Sequence, residues 1–187
     1  MIETLYQACN NLVNFVNREE VVTTLFNNRF YTILAVVMLM RCKYAVYRSM
    51  WLCALCNIPG TILHELMHFL VGLFLNARPI NLNILPKKDL LNGGYVLGSV
   101  SFKNITFYNA VPAGLAPLLL LPIAFCINRY MLPFVPYSFC GYLAYILLQT
   151  IIIENAIPSR ADIKIAGMYL SGIVIYSSML IALLLML

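Results

Sequence analysis

The five residues His64-Glu65-Leu66-Met67-His68 carry the most distinctive chemistry in this sequence, and they include both of its histidines. On a helix, two residues four apart share one face, so both imidazoles can reach the same metal ion. A glutamate directly after the first histidine completes the H-E-x-x-H pattern, in which the carboxylate acts as general base on a metal-bound water. The pattern predicts a hydrolytic zinc site with His64 and His68 as ligands and Glu65 as base.

The alternative interpretation is that these histidines are packed core residues that match the motif by chance. The flanks of the motif, Ile62-Leu63 and residues 69–75, are almost wholly apolar. An ionisable glutamate in hydrocarbon costs roughly 2.5 kcal/mol or more, so such residues usually mark a functional site. The zinc site is therefore favoured over the core interpretation.

Composition indicates an integral membrane protein with a single membrane-embedded domain. The chain has 187 residues, of which 62% are hydrophobic and 10% are charged, against about 25% charged in a typical globular protein. The net charge is +5, but the twelve cations are scattered between apolar segments, so no nucleic-acid partner is expected. The expected partner is the lipid bilayer, and the sequence makes no prediction of oligomeric state.

The apolar segments predict an all-α polytopic membrane protein with four to five transmembrane helices. The segments are residues 30–40, 50–75, 111–127, 138–153 and 163–187. A span needs about twenty residues, and the first segment has only eleven before Arg41, so the sequence leaves open whether residues 21–47 contain a span. Residues 1–29 are predicted to form an amphipathic or peripheral segment, and residues 30–187 the membrane-embedded domain.

A polar, strand-like insert follows the motif helix, at about residues 79–103. Apolar and polar residues alternate in Ile80-Asn81-Leu82, and Asn92-Gly93 is a turn signal between two such runs. We expect a small β-hairpin, which could pair with an extended substrate by adding a strand. The alternative is a plain connecting loop.

A third metal ligand must come from outside the motif, because a catalytic zinc ion takes three protein ligands and leaves a position for water. No third histidine exists, and the cysteines lack a recognisable ligand context. Glu154 and Asp162 both lie at a break between apolar segments. Irregular backbone in a bilayer is tolerated beside a water-filled cavity, which favours Asp162, with Glu154 as the alternative. Asp162 could instead pair with Arg160 or Lys164, or cap a helix.

With these features in order, residues 50–165 resemble the site-2-type intramembrane zinc metalloproteases. The motif helix precedes a hairpin-like insert, and residues 113–117, Ala-Gly-Leu-Ala-Pro, loosely match the Ala-Gly-Pro run of that family. Residues 155–158, Asn-Ala-Ile-Pro, match the Asn-x-x-Pro run that leads there to a Leu-Asp-Gly motif. That motif itself is absent, because Asp162 stands between alanine and isoleucine.

The resemblance implies a zinc-dependent endopeptidase of a bacterial-type cytoplasmic membrane. Its zinc ligands would be His64, His68 and Asp162, with Glu65 as catalytic base. The expected substrate is a transmembrane or membrane-proximal protein, and Asn155 is expected to hydrogen-bond the substrate backbone. The rival hypotheses are a catalytically inactive relative that binds substrates or acts as a chaperone, and a metal transporter.

Overall fold

The computed structural model describes residues 2–46, 50–85, 87–88 and 95–186. Over these residues the protein is mostly helical, as predicted. The helices are α1 (Ile2–Val16), α2 (Glu19–Asn27), α3 (Arg29–Val46), α4 (Met50–Phe74), α5 (Ala110–Gly114), α6 (Leu120–Tyr130), α7 (Phe139–Glu154), α8 (Arg160–Ala166) and α9 (Leu170–Met186). Two 3₁₀ segments, Ala116–Leu119 and Leu132–Phe134, join α5 to α6 and follow α6.

The predicted β-hairpin insert is confirmed, and the alternative of a plain loop is wrong. Strand β1 (Pro79–Asn83) pairs antiparallel with β4 (Ser99–Phe102), and its register shifts between Pro79 and Asn81. Inside this pair, β2 (Lys87–Lys88) pairs antiparallel with β3 (Tyr95–Val96). The predicted Asn92-Gly93 turn lies outside the described residues.

The expected membrane spans have no counterpart in a single helix. In the part of the chain that the structure describes, no one helix combines the length and the apolar composition needed to cross a bilayer. Two pairs of helices reach both criteria together, and each pair is bent: α2 with residues 29–43 by 85°, and α8 with α9 by 90°.

The chain divides into two compact units. The first contains residues 1–46 and 124–151. In it the Phe26 ring lies 4.9 Å from the Tyr137 ring and 5.4 Å from the Tyr142 ring, measured between centroids. The buried amide of Gln149 donates to the carbonyl of Ala124 at 3.2 Å, which satisfies a polar group that burial would otherwise penalise. The predicted peripheral role of residues 1–29, which form α1, α2 and the start of α3, stays a prediction.

The second unit contains residues 47–123 and 152–187, and therefore α4, the hairpin, α5, α8 and α9. The fully buried side chain of Asn109 links the segment after the hairpin to the end of α4 by hydrogen bonds. Its amide donates to the carbonyls of Leu75 and Asn104, and its side-chain oxygen accepts from the backbone N–H of Thr106. These bonds hold the start of α5 near the carboxyl end of α4, which sets the position of α5 beside the motif.

The Pro59-Gly60 pair does not end α4, which continues through Pro59 to Phe74. A proline inside a helix removes one backbone hydrogen bond and favours a kink. The chain is nevertheless helical on both sides of Pro59. Gly60 has a packing role: a side chain at this position would collide with the amide group of Asn155. The glycine thus allows the segment before α8 to approach α4 one turn from His64.

Candidate metal centre

Helix α4 brings the two histidines to one face, as their spacing predicts. The ring centroids of His64 and His68 are 4.9 Å apart, and their Nε2 atoms are 3.2 Å apart. His68 is 3% exposed, and His64 is half-buried. The whole group described below belongs to the second compact unit.

Each histidine ring is oriented through its other nitrogen. Nδ1 of His64 lies 2.8 Å from the carbonyl oxygen of Asn155, and Nδ1 of His68 lies 2.7 Å from that of Ala113. Because a carbonyl oxygen only accepts, each Nδ1 donates a proton, and each neutral ring then carries its lone pair on Nε2. Ligating histidines in metal sites are held in this way, with the outer nitrogen donating to a carbonyl or carboxylate.

Asp162 completes the group from the other side. Its Oδ2 is 3.2 Å from Nε2 of His64, and its Oδ1 is 3.2 Å from Nε2 of His68. Asp162 is 8% exposed. Among the described residues, His64, His68 and Asp162 form a group that could hold a metal ion, and Glu154 is not part of it.

The expected alternative, Asp162 as a helix N-cap, is wrong, because Ser159 is the N-cap of α8 and Asp162 stands at the third helical position. The Ser159 backbone N–H donates to Oδ2 of Asp162 at 2.6 Å, and the Ser159 hydroxyl accepts from the Asp162 backbone N–H at 3.2 Å. This reciprocal pair is a capping box at the start of α8. The carboxylate that faces the two imidazoles therefore also accepts a hydrogen bond at the start of α8.

The ligand atoms of the three residues lie close enough together for one metal ion, with one atom from each within 4.8 Å of the others. The observed separations are 3.2 Å for the two Nε2 atoms and 3.2 Å from each of them to its carboxylate oxygen. With both Nδ1 atoms donating to carbonyls, the lone pairs of both Nε2 atoms remain free for a cation, which would also pair with the Asp162 carboxylate. The donor chemistry and the geometry both fit a bound metal ion.

Glu65 lies beside this group and is 6% exposed. It is within electrostatic reach of His64, His68 and Asp162. The hairpin lies against its side chain: a Cβ atom at Gly98 would stand 2.6 Å from Oε1 of Glu65. A side chain at position 98 would require the Glu65 carboxylate or Thr61 to shift, so the glycine lets the hairpin backbone lie against both residues as they stand.

Asn155 is brought to the centre by its backbone as well as by its side chain. Its carbonyl accepts from His64, and its amide group fills the space beside Gly60. Its predicted contact with substrate stays a prediction. Its carbonyl orients His64, and its amide group packs against α4 at Gly60.

Short helix α5 contributes two features that the sequence did not reveal as parts of the site. The Ala113 carbonyl orients His68, and Gly114 packs directly on α8, where an added Cβ would lie 2.5 Å from the Asp162 carbonyl oxygen. A carbonyl has no sequence signature, because every residue has one. The Ser-x-x-Asp spacing of Ser159 and Asp162 was a usable signal, since it is the pattern of a capping box.

Comparisons with known protein families, with curated proteins and with solved structures gave no match for this chain.

Proposed function

We propose that this protein is an intramembrane zinc endopeptidase that hydrolyses peptide bonds of transmembrane or membrane-proximal proteins. The observation that carries the proposal is the convergence of His64 Nε2, His68 Nε2 and the Asp162 carboxylate beside the buried Glu65. Two imidazoles and one carboxylate are a ligand set used by catalytic zinc sites, which keep a fourth position for water or substrate.

We propose zinc as the metal because the H-E-x-x-H pattern is typical of zinc hydrolases. Imidazole nitrogen together with one carboxylate favours zinc over magnesium or calcium, which prefer sites built wholly from oxygen. A zinc ion held here would lower the pKa of a coordinated water to about 7 and polarise the scissile carbonyl.

Glu65 is the proposed general base. It follows His64 directly on α4, so its carboxylate stays next to the ligands without being one of them. It would accept the proton of the attacking water and deliver it to the leaving amine. Its burial keeps bulk water from competing for that proton.

The membrane setting is supported by the surface of the helices. Many large apolar side chains are exposed, and on α9 they include Ile181, Leu184 and Met186, exposed by 58%, 62% and 87%. A soluble monomer rarely presents so much contiguous apolar surface. Lipid would cover it in a multi-pass protein of a bacterial-type cytoplasmic membrane, the setting that the resemblance to the site-2-type metalloproteases implies.

The hairpin supplies a place for an extended substrate. Among the described strands, β1 pairs with β4 alone, so its other edge has backbone groups available for a third strand. A substrate helix must unwind before its amide can be attacked, and pairing with β1 would stabilise the extended form. The approach of Gly98 to Glu65 places the hairpin next to the proposed base.

The test combines zinc content with cleavage of a transmembrane reporter by purified full-length protein. We expect Glu65→Gln to retain one zinc ion per chain and to lose cleavage by at least roughly a thousandfold, because the amide cannot accept the proton. His64→Ala is expected to lose both the bound zinc ion and the cleavage activity. Matched substitution of the exposed carboxylate, Glu20→Gln, should change neither.

Three outcomes would contradict the proposal in different ways. Full cleavage by Glu65→Gln would remove Glu65 from the mechanism. Stoichiometric zinc without cleavage of any reporter would favour an inactive relative that binds substrates. Zinc flux into vesicles that survives Glu65→Gln would favour a transporter.

A further inference from the structure

Of the three proposed ligands, Asp162 is the one whose position is not set by a long helix. The histidines stand well inside the 25-residue helix α4, whereas Asp162 lies in the first turn of the seven-residue helix α8. Such a short helix is marginal on its own, because nucleation is costly. The position of its first turn must therefore be set by contacts made there.

We infer that Ser159 is a positioning residue that holds the Asp162 carboxylate in place for the metal ion. The inference rests on the proposed function. The Ser159 backbone N–H donates to Oδ2, and the same oxygen is the one 3.2 Å from Nε2 of His64. One hydrogen bond thus fixes the oxygen that faces the first histidine.

The Ser159 hydroxyl fixes the backbone from which this carboxylate extends. It accepts from the Asp162 N–H, which would otherwise be one of the unsatisfied donors at the start of α8. With main chain and side chain of Asp162 both bonded to one residue, the two torsions that aim the carboxylate are restricted. The carboxylate is then pre-organised, and its ordering does not have to accompany metal binding.

The burial of Asp162 separates this arrangement from an ordinary helix cap. In an exposed capping box, the lone pairs that the cap does not use face water. Asp162 is 8% exposed, and each of its oxygens faces an imidazole nitrogen. The cap therefore directs a carboxylate that also faces both imidazoles of the metal group, so we expect a looser cap to weaken metal binding.

The experiment measures zinc affinity of the purified full-length protein by competition with a chromogenic chelator. Ser159→Ala is expected to bind zinc about tenfold more weakly, the lower end of the 10–100-fold that loss of an outer partner of a ligand costs. Ser159→Thr keeps the hydroxyl and should stay within roughly threefold of the unsubstituted protein.

The chain offers a matched control at the start of α7. Ser138 precedes that helix, and its hydroxyl accepts from the N–H of Gly141, three residues on, at 3.1 Å. Ser138→Ala removes the same kind of bond from a helix start outside the metal group, and zinc affinity should not change. With Co²⁺ in place of zinc, the visible absorption spectrum should shift in Ser159→Ala and not in Ser138→Ala.

Unchanged affinity in Ser159→Ala, or equal weakening in Ser138→Ala, would overturn the inference while the proposed function stands. Absence of stoichiometric zinc in the unsubstituted protein would overturn both. Should Ser159→Ala fail to fold, Ser159→Gly replaces it, because glycine is tolerated at this position almost as well as serine and lacks the hydroxyl. It should show the same weakening, and unchanged affinity in this variant would overturn the inference equally.

Discussion

Asp162 belongs to two local structures at once, a helix start and a metal group. Its carboxylate accepts from Ser159 and faces His64 and His68. A carboxylate at 8% exposure is costly unless it is paired. The Nε2 atoms that face it carry lone pairs, so a divalent cation bound between them and the carboxylate would supply that pairing.

We predict that Asp162, and not Glu154, is the third metal ligand. Asp162→Asn exchanges one oxygen for an amide nitrogen with almost no change of shape, and it should weaken zinc binding roughly a hundredfold or more, beyond the cost of losing an outer partner. The corresponding change at the alternative ligand, Glu154→Gln, should leave affinity within about twofold. Isothermal titration with zinc on both variants checks this, and the reverse order of effects would make Glu154 the ligand.

At the scale of elements, the five-residue helix α5 connects the second histidine to the third ligand. Its residue Ala113 orients His68 through a carbonyl, and the next residue, Gly114, lets α8 approach closely. Glycine at a helix contact brings two backbones within reach of each other, as is common where helices pack in membranes. The metal group therefore depends on the contact between two short helices as much as on α4.

Adding a side chain at Gly114, in the contact between α5 and α8, should move Asp162 away from the two histidines. A Cβ at Gly114 would lie 2.5 Å from the Asp162 carbonyl oxygen and 2.7 Å from the backbone nitrogen of Ala166. Both are main-chain atoms, so α8 as a whole must shift. We expect Gly114→Ala to lower the free energy of unfolding by about 1–3 kcal/mol and to weaken zinc binding at least tenfold.

The control for this substitution is Gly167→Ala, at the end of the same helix. There an added Cβ meets its nearest atom, the Ile163 carbonyl oxygen, at 3.2 Å, and the φ of −83° suits alanine. Thermal unfolding and zinc titration of both variants provide the measurement. Normal zinc affinity in Gly114→Ala would mean that α8 can shift without moving Asp162 away from the histidines.

At the scale of the whole molecule, apolar residues far outnumber what the two compact units bury. The chain is 62% hydrophobic, and the buried hydrophobic residues are mostly small, with Leu120 and Ile146 among the few large ones. The large apolar side chains of α9 remain exposed along most of its length. In water this exposed apolar surface would drive association between protein molecules. In a bilayer, lipid would cover it.

The proposed membrane setting predicts how the expressed protein fractionates. The protein should sediment with membranes, should stay there after washing at alkaline pH, and should be released only by detergent. A peripheral protein held by charge would be released by the alkaline wash, because its ionic contacts are lost. Recovery of folded, zinc-binding protein from the wash supernatant would contradict the membrane proposal and leave the metal centre intact.

The features that could be predicted before the fold was known depend on short-range backbone geometry. His64 and His68 share a face because the helical repeat puts residues four apart on one side, and the alternation in residues 80–84 predicted strand β1. Glu65 had to lie beside the ligands for the same local reason. These features follow from backbone geometry over a few residues, so they could be predicted without knowing how the chain folds back.

Which distant groups meet helix α4 depends on how the chain folds back on itself. Asp162 is 98 positions from His64, and local patterns favoured it over Glu154 without showing that it reaches the histidines. The carbonyls of Ala113 and Asn155 and the hairpin glycine at position 98 have no chemical signature in the sequence. Their roles come from packing, because Gly60, Gly98 and Gly114 each leave room for a neighbouring group that a side chain would exclude.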